Sequence, residues 1–180
     1  MNTKRKVFLI ILSCLMLVSL YGIHLIKDNY RFGLELYSAV NKMSVQSMNL
    51  AYGIGYLEKE FANADWKNDN ISSHAFDSAL LSVRSSFGYE NMPLLDDVSF
   101  RWNARFEELF RQTVNKDIDA LERVFAREAD EMSDLRKKLE NMTNCFIDFR
   151  ERYNQMSEWE RYFVSWRNEQ KILNDKVGIP

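Results

Sequence analysis

The chain has 180 residues, with 24 Lys and Arg against 26 Asp and Glu and a formal net charge of −2. Charges of both signs are interspersed, which excludes a dense phosphate-binding surface, so no nucleic acid is expected as a partner. Six Gly and two Pro argue against an all-β chain of tight turns and for long helices, and a hydrophobic share of 46% excludes a disordered chain.

The first element in chain order is a stretch from 7 to 26 with no charged residue at neutral pH. Its apolar side chains are Val7, Phe8, Leu9, Ile10, Ile11, Leu12, Leu15, Leu17, Val18, Leu20, Ile23, Leu25 and Ile26. At ~1.5 Å per residue it makes a helix about 30 Å long, the thickness of a bilayer's hydrocarbon core. A cleaved signal peptide would have an apolar region of only about 7–15 residues, and Leu20-Tyr21-Gly22 is a poor cleavage site. Ile11-Leu12-Ser13-Cys14 loosely resembles a lipoprotein signal, but the apolar run continues well past the cysteine. The expectation is an uncleaved transmembrane signal-anchor. Lys4, Arg5 and Lys6 set its direction: the basic segment 1–6 stays in the cytoplasm, and 27–180 lies on the extracytoplasmic face of a cell membrane, in a bacterial host. Tyr21 and His24 suit the outer membrane interface.

No breaker interrupts the chain directly after the anchor, so one helix is expected to run outward to about 62. Leu36, Val40, Met43, Ser47, Leu50, Ile54, Leu57 and Phe61 alternate spacings of four and three, the seam of helices packed at a shallow angle. Gly53 and Gly55 mark a bend or a close helix approach rather than a nucleotide loop, since no strand precedes them. Asn63 to Asn70 is a polar break, and a second helix is predicted over 71–88 with Phe76, Leu80, Val83 and Phe87 as its stripe. Gly88, Pro93, Asp96 and Asp97 supply the next stop and start. From Val98 to Val177 there is neither Gly nor Pro. Val114, Ile118, Leu121, Phe125, Met132, Leu135, Leu139, Met142, Phe146, Phe149, Tyr153 and Met156 carry a second seam, with Glu128 its one polar interruption. Trp159, Phe163 and Trp166 continue it after a shift of register. An unbroken helix of roughly 80 residues would need a partner along its whole length, so a break is expected at Asn141–Asn144, giving helices over 96–141 and 145–175. Asn115-Lys116-Asp117 is the weaker candidate turn.

The residues offer little chemistry. His24 lies in the apolar stretch, which leaves His74 alone as a base for any Ser or Cys, and there is no Gly-x-Ser-x-Gly elbow. Clustered His and Cys for zinc and Glu-x-x-His pairs for a di-iron bundle are both missing, so no cofactor or metal is expected. The carboxylates alternate with Arg and Lys at helical spacing, as solvated faces do. Cys14 and Cys145 are too differently placed to pair within the chain. Asn70 and Asn141 match the N-glycosylation pattern, which matters only in a eukaryotic secretory pathway.

The sequence thus predicts an all-α protein: a transmembrane helix continuing into an elongated antiparallel helical bundle with coiled-coil-like seams. Its layout resembles that of bacterial extracytoplasmic sensory domains such as those of chemoreceptors, without a shared motif. The expected role is non-enzymatic, a protein-interaction or assembly module binding another protein or a second copy of itself. The alternative is a ligand-sensing bundle that reports through a partner, with a polar cavity near Arg150 and Tyr153 as its mark. Aromatic residues crowd the C-terminal third among arginines, and Tyr153, Trp159, Tyr162 and Trp166 are the candidate partner surface.

Overall fold

The computed structural model describes residues 3–63, 76–83, 96–115 and 117–177. Among them every regular element is a helix. The all-α expectation holds, and the run from anchor to bundle is continuous: α1 spans Thr3–Asn63, 61 residues or about 90 Å. The helical residues 76–83 form α2. Then come α3 (Asp96–Val114), α4 (Ile118–Gln155), α5 (Glu158–Phe163) and α6 (Trp166–Val177).

Leu36, Val40, Ser47, Leu50, Ile54 and Leu57 of the first seam are all buried, and Met43 and Phe61 pack against the cores beside them. The partner is α4, which runs antiparallel to α1. Tyr37 stacks on Tyr153 at 4.3 Å, Ser47 and Thr143 share a 2.7 Å hydrogen bond, Glu58 pairs with Arg136 at 3.1 Å, and Phe61 stacks on Phe125 at 3.7 Å. Rising residues on one helix meet falling residues on the other. The α2 helix descends beside α1, with Phe76 near Phe61 and Val83 over Gly53. A Cβ on Gly53 would stand 2.8 Å from the Val83 side chain, so this glycine is where α2 comes close. The close approach anticipated for the Gly53 region is therefore present, while Gly55 faces Arg136 at ordinary contact distance.

Two apolar cores result. The one far from the apolar stretch gathers α1, α2, α3 and α4 around Ile54 and Leu57 of α1, with Leu80, Phe106, Leu109, Leu121 and Met132. The nearer one gathers α1, α4 and α6 around Leu36, Val40, Phe146, Phe149, Tyr153, Trp166 and Leu173. Buried Ser44, Ser47 and Thr143 lie between them, and Met142 touches both.

The breaks in the last segment fall elsewhere than expected. Asn141–Asn144 lies inside the unbroken α4, so helices over 96–141 and 145–175 are not what forms. The Thr143 hydroxyl donates to the Leu139 carbonyl one turn back, at 2.8 Å, and also meets Ser47. A side chain able to end a helix is spent on the seam instead. Helix α3 ends at Val114 and α4 begins at Ile118, where Asp117 caps α4 by accepting from the Ala120 N–H at 3.0 Å. A second break separates α4 from α5. Met156 is extended, and Ser157 and Glu160 form a reciprocal capping box. Ser-x-x-Glu is visible in the sequence at Ser157-Glu158-Trp159-Glu160, and the aromatic periodicity hid it. Of the predicted breaks at 63–70 and 88–97, Asn63 ends α1 and Asp96 and Asp97 open α3; the rest of both, the flanks of the helix predicted over 71–88, and His74 lie outside the described residues.

Candidate functional site

Residues 11–25 of α1 contact almost nothing. Ile11, Leu15, Leu17, Val18, Leu20, Ile23 and Leu25 are each roughly half to two-thirds exposed, and α1 is the one described helix long and apolar enough to cross a membrane. The backbone of Lys4–Ile10 continues the helix; the side chains of Lys4, Arg5, Lys6, Val7, Phe8, Leu9 and Ile10 lie outside the described residues. Burial starts at Gly33 and Leu36; of the described part of the apolar stretch, only its outer end, at Ile23 and Ile26, lies beside another helix, α5. Beyond Ile26 charges begin: Lys27, Asp28, Arg31 and Glu35, with His24 Nε2 3.3 Å from Asp28 and Arg31 3.0 Å from Glu35.

The four aromatic residues singled out in the C-terminal third have different fates. Trp166 is 1% exposed and Tyr153 4%. The Trp166 indole lies flat on Gly33, and its N–H donates to the Arg161 carbonyl at 2.8 Å. Tyr153 is stacked on Tyr37 and covered by the Arg161 guanidinium 4.5 Å from its ring. Burial pushes the Tyr153 hydroxyl above its ordinary pKa. Trp159 is 75% exposed, and Tyr162 is half-buried against Tyr30, with ring centroids 4.2 Å apart. Trp159 and Trp166 therefore do not share a surface. A break in the helix after Gln155 rotates α5 away from the seam that α4 and α6 keep.

The helix α5 is tied to α1 from the backbone. The Asn29 amide donates to the carbonyls of Tyr162 and Val164, at 3.1 and 2.8 Å. The capping box supports α5 from its other end. The Ser157 N–H donates to the Glu160 carboxylate at 2.7 Å, which, with the Ser157 hydroxyl, holds that carboxyl below its ordinary pKa. A folded-state value below the unfolded one stabilises the fold above the ordinary carboxylate range, and that contribution is lost as pH falls through the lowered value. Acidification below about pH 4 is expected to loosen α5 before the cores. Tryptophan emission titrated with acid should show this early step in the native chain, and Glu160→Gln, which removes the titrating carboxyl, should abolish it.

A second exposed feature was not anticipated. On α1, Val45, Met48, Tyr52 and Tyr56 form a stripe on the face turned from the core, with exposures of 43, 38, 72 and 46%. Their spacings of three and four were available in the sequence, but the stronger Leu36–Phe61 seam one step round the helix masked them. The stripe borders a groove against α4 of about 700 Å³, lined also by Gly55, Lys59, Arg136, Glu140 and Ile147. Cys145 is half-buried beside the nearer core. Among the described residues no three His, Cys, Asp or Glu side chains are gathered as a metal ion requires. The chain matches no protein-family model, and neither a curated protein nor a solved structure shows significant similarity to it.

Proposed function

We propose that this is a single-pass membrane protein without enzymatic activity, whose helical domain stands on the extracytoplasmic face and pairs there with a second copy of itself. The supporting observation is that α1 has two apolar faces. One closes the cores; the other, Val45, Met48, Tyr52 and Tyr56, is uncovered beside a groove on α4. Exposed tyrosines in a groove are the composition of interface hot spots. The groove's Arg136 and Glu140 pair with each other at 3.4 Å within the chain, so no unpaired acidic group opposes a second copy there. An anchor over residues 7–26 confines copies to one plane and raises their effective concentration. A second reading, a ligand-sensing groove, draws on the groove's volume of about 700 Å³, which lies within the usual range for small-molecule sites.

Tyr52→Cys in a chain with Cys14→Ala and Cys145→Ala, treated in intact cells with a membrane-impermeant bis-maleimide, tests both parts. The expected product is a species of twice the 21.3 kDa chain mass. No reaction at residue 52 until cells are broken overturns the extracytoplasmic placement. Reaction without the doubled species overturns self-pairing and leaves the groove to a ligand or another protein.

A further inference from the structure

The helix α5 is an anomaly of the fold. It is six residues long, none of them buried, yet it has a complete capping box, two hydrogen bonds from Asn29 and a stacked Tyr30–Tyr162 pair to hold it. What that scaffolding presents is apolar. Trp159 and Phe163 are 75 and 67% exposed, one turn apart, with near-parallel rings whose centroids are 6.5 Å apart. Leaving two large aromatic side chains in water forgoes the free energy of burying them. Their level along α1 is defined, since Trp159, Tyr162 and Phe163 share a recess of about 460 Å³ with Ile23, Ile26 and Lys27. Ile23 and Ile26 are the last apolar residues of the stretch on this side, and Lys27 is its first charge. If α1 crosses a bilayer, the boundary between hydrocarbon and headgroups falls at this height, where tryptophan is enriched because its ring is apolar and its N–H is wet.

We propose that α5 is a membrane foot: Trp159 and Phe163 enter the outer boundary of the same bilayer that α1 spans, giving the bundle a second point of contact beside its anchor. The proposal rests on the membrane-anchor reading above. The occupant is the lipid boundary and not an anionic headgroup, because α5 carries Glu158 and Glu160 against the single Arg161. Contact at two points fixes the tilt of the bundle on the membrane, which a lone helix does not.

The test uses the full chain in nanodiscs of phosphatidylcholine brominated either near the glycerol end or near the methyl end of the acyl chains. Bromine near the glycerol end is expected to quench tryptophan emission of a Trp66→Phe chain, and adding Trp159→Phe is expected to lose most of that quenching, because the two tryptophans left, Trp102 and Trp166, are buried in the bundle. Replacing part of the phosphatidylcholine with phosphatidylglycerol should leave the result unchanged. Equal quenching with and without Trp159→Phe in the Trp66→Phe chain overturns the foot, as does a Trp159 emission that shifts with protein concentration and ignores bromine, the sign of a second copy covering the ring. An alkaline carbonate wash of native membranes separates the two readings. Release of the chain overturns the anchor and the foot together; retention without Trp159-dependent quenching overturns the foot alone.

Discussion

Gly33→Ala should destabilise this protein, although alanine is the better helix former by about 1 kcal/mol. Gly33 lies within α1, where the propensity term alone would favour the change. The Trp166 indole lies against it so closely that a Cβ would stand 2.4 Å from Nε1 and 2.5 Å from Cε2. The ring has nowhere to go: it is 1% exposed, borders Phe149 and Tyr153, and donates its N–H to Arg161. Overpacking of this kind costs about 1–3 kcal/mol, and with no room for the ring to shift the upper part of that range applies, so a net loss of up to about 2 kcal/mol is left after the propensity gain. Trp166→Ala should cost more, about 3–5 kcal/mol, as a large buried aromatic does when removed. Both effects are measurable by denaturant titration of the full chain in micelles, followed by circular dichroism. Gly22→Ala serves as the control. Nothing lies within 4 Å of a Cβ there, so no loss is expected. A Gly33→Ala chain as stable as the native one would show that α6 does not dock on α1 in this way.

Arg105→Ala should cost about 3 kcal/mol, while Glu128→Leu should be close to neutral. Glu128 is 6% exposed on the α4 seam. Its carboxylate lies 2.9 Å from Arg105 of α3 and 2.7 Å from Arg127, and the Arg105 guanidinium also covers the Trp102 ring at 4.7 Å. Removing Arg105 leaves a buried carboxylate with only the more exposed Arg127, and a buried charge short of a partner is expensive. Replacing Glu128 with an apolar side chain of similar size removes that desolvation cost along with the ion pair. Denaturant midpoints of the two variants should therefore separate clearly, with Arg105→Ala well below the native chain. Equal midpoints would mean that the pair does not hold α3 to α4.

The first half of α1 and its seam were legible in the sequence because both signals are local and long: an uncharged run from Val7 to Ile26, then eight positions of unbroken heptad spacing. Helical class followed from the scarcity of Gly and Pro. The ends of the later helices were less legible, because residues that favour caps also make good seam contacts. Thr143 is such a residue. Read alone in Asn141–Asn144 it stops a helix; set opposite Ser47 it continues one. Asp117 and Ser157 have the same chemistry but no partner helix to claim their side chains, so they cap.

By itself, then, the sequence determined that the chain is helical, that it has one stretch able to cross a membrane, and that this stretch runs on as a single rod into a packed seam. Those properties depend on composition and on spacings within one helix. Tertiary structure decided which aromatic residues are core and which are surface. Trp159 and Trp166 are seven positions apart, a spacing that puts residues on one face of a continuous helix. A capped break at Ser157 and a second interruption at Val164 send Trp166 against Gly33 and leave Trp159 bare beside Ile23 and Ile26. The partners that decide this lie more than 130 residues away along the chain, as the Asn29 bonds to Tyr162 and Val164 show, and no local pattern encodes them.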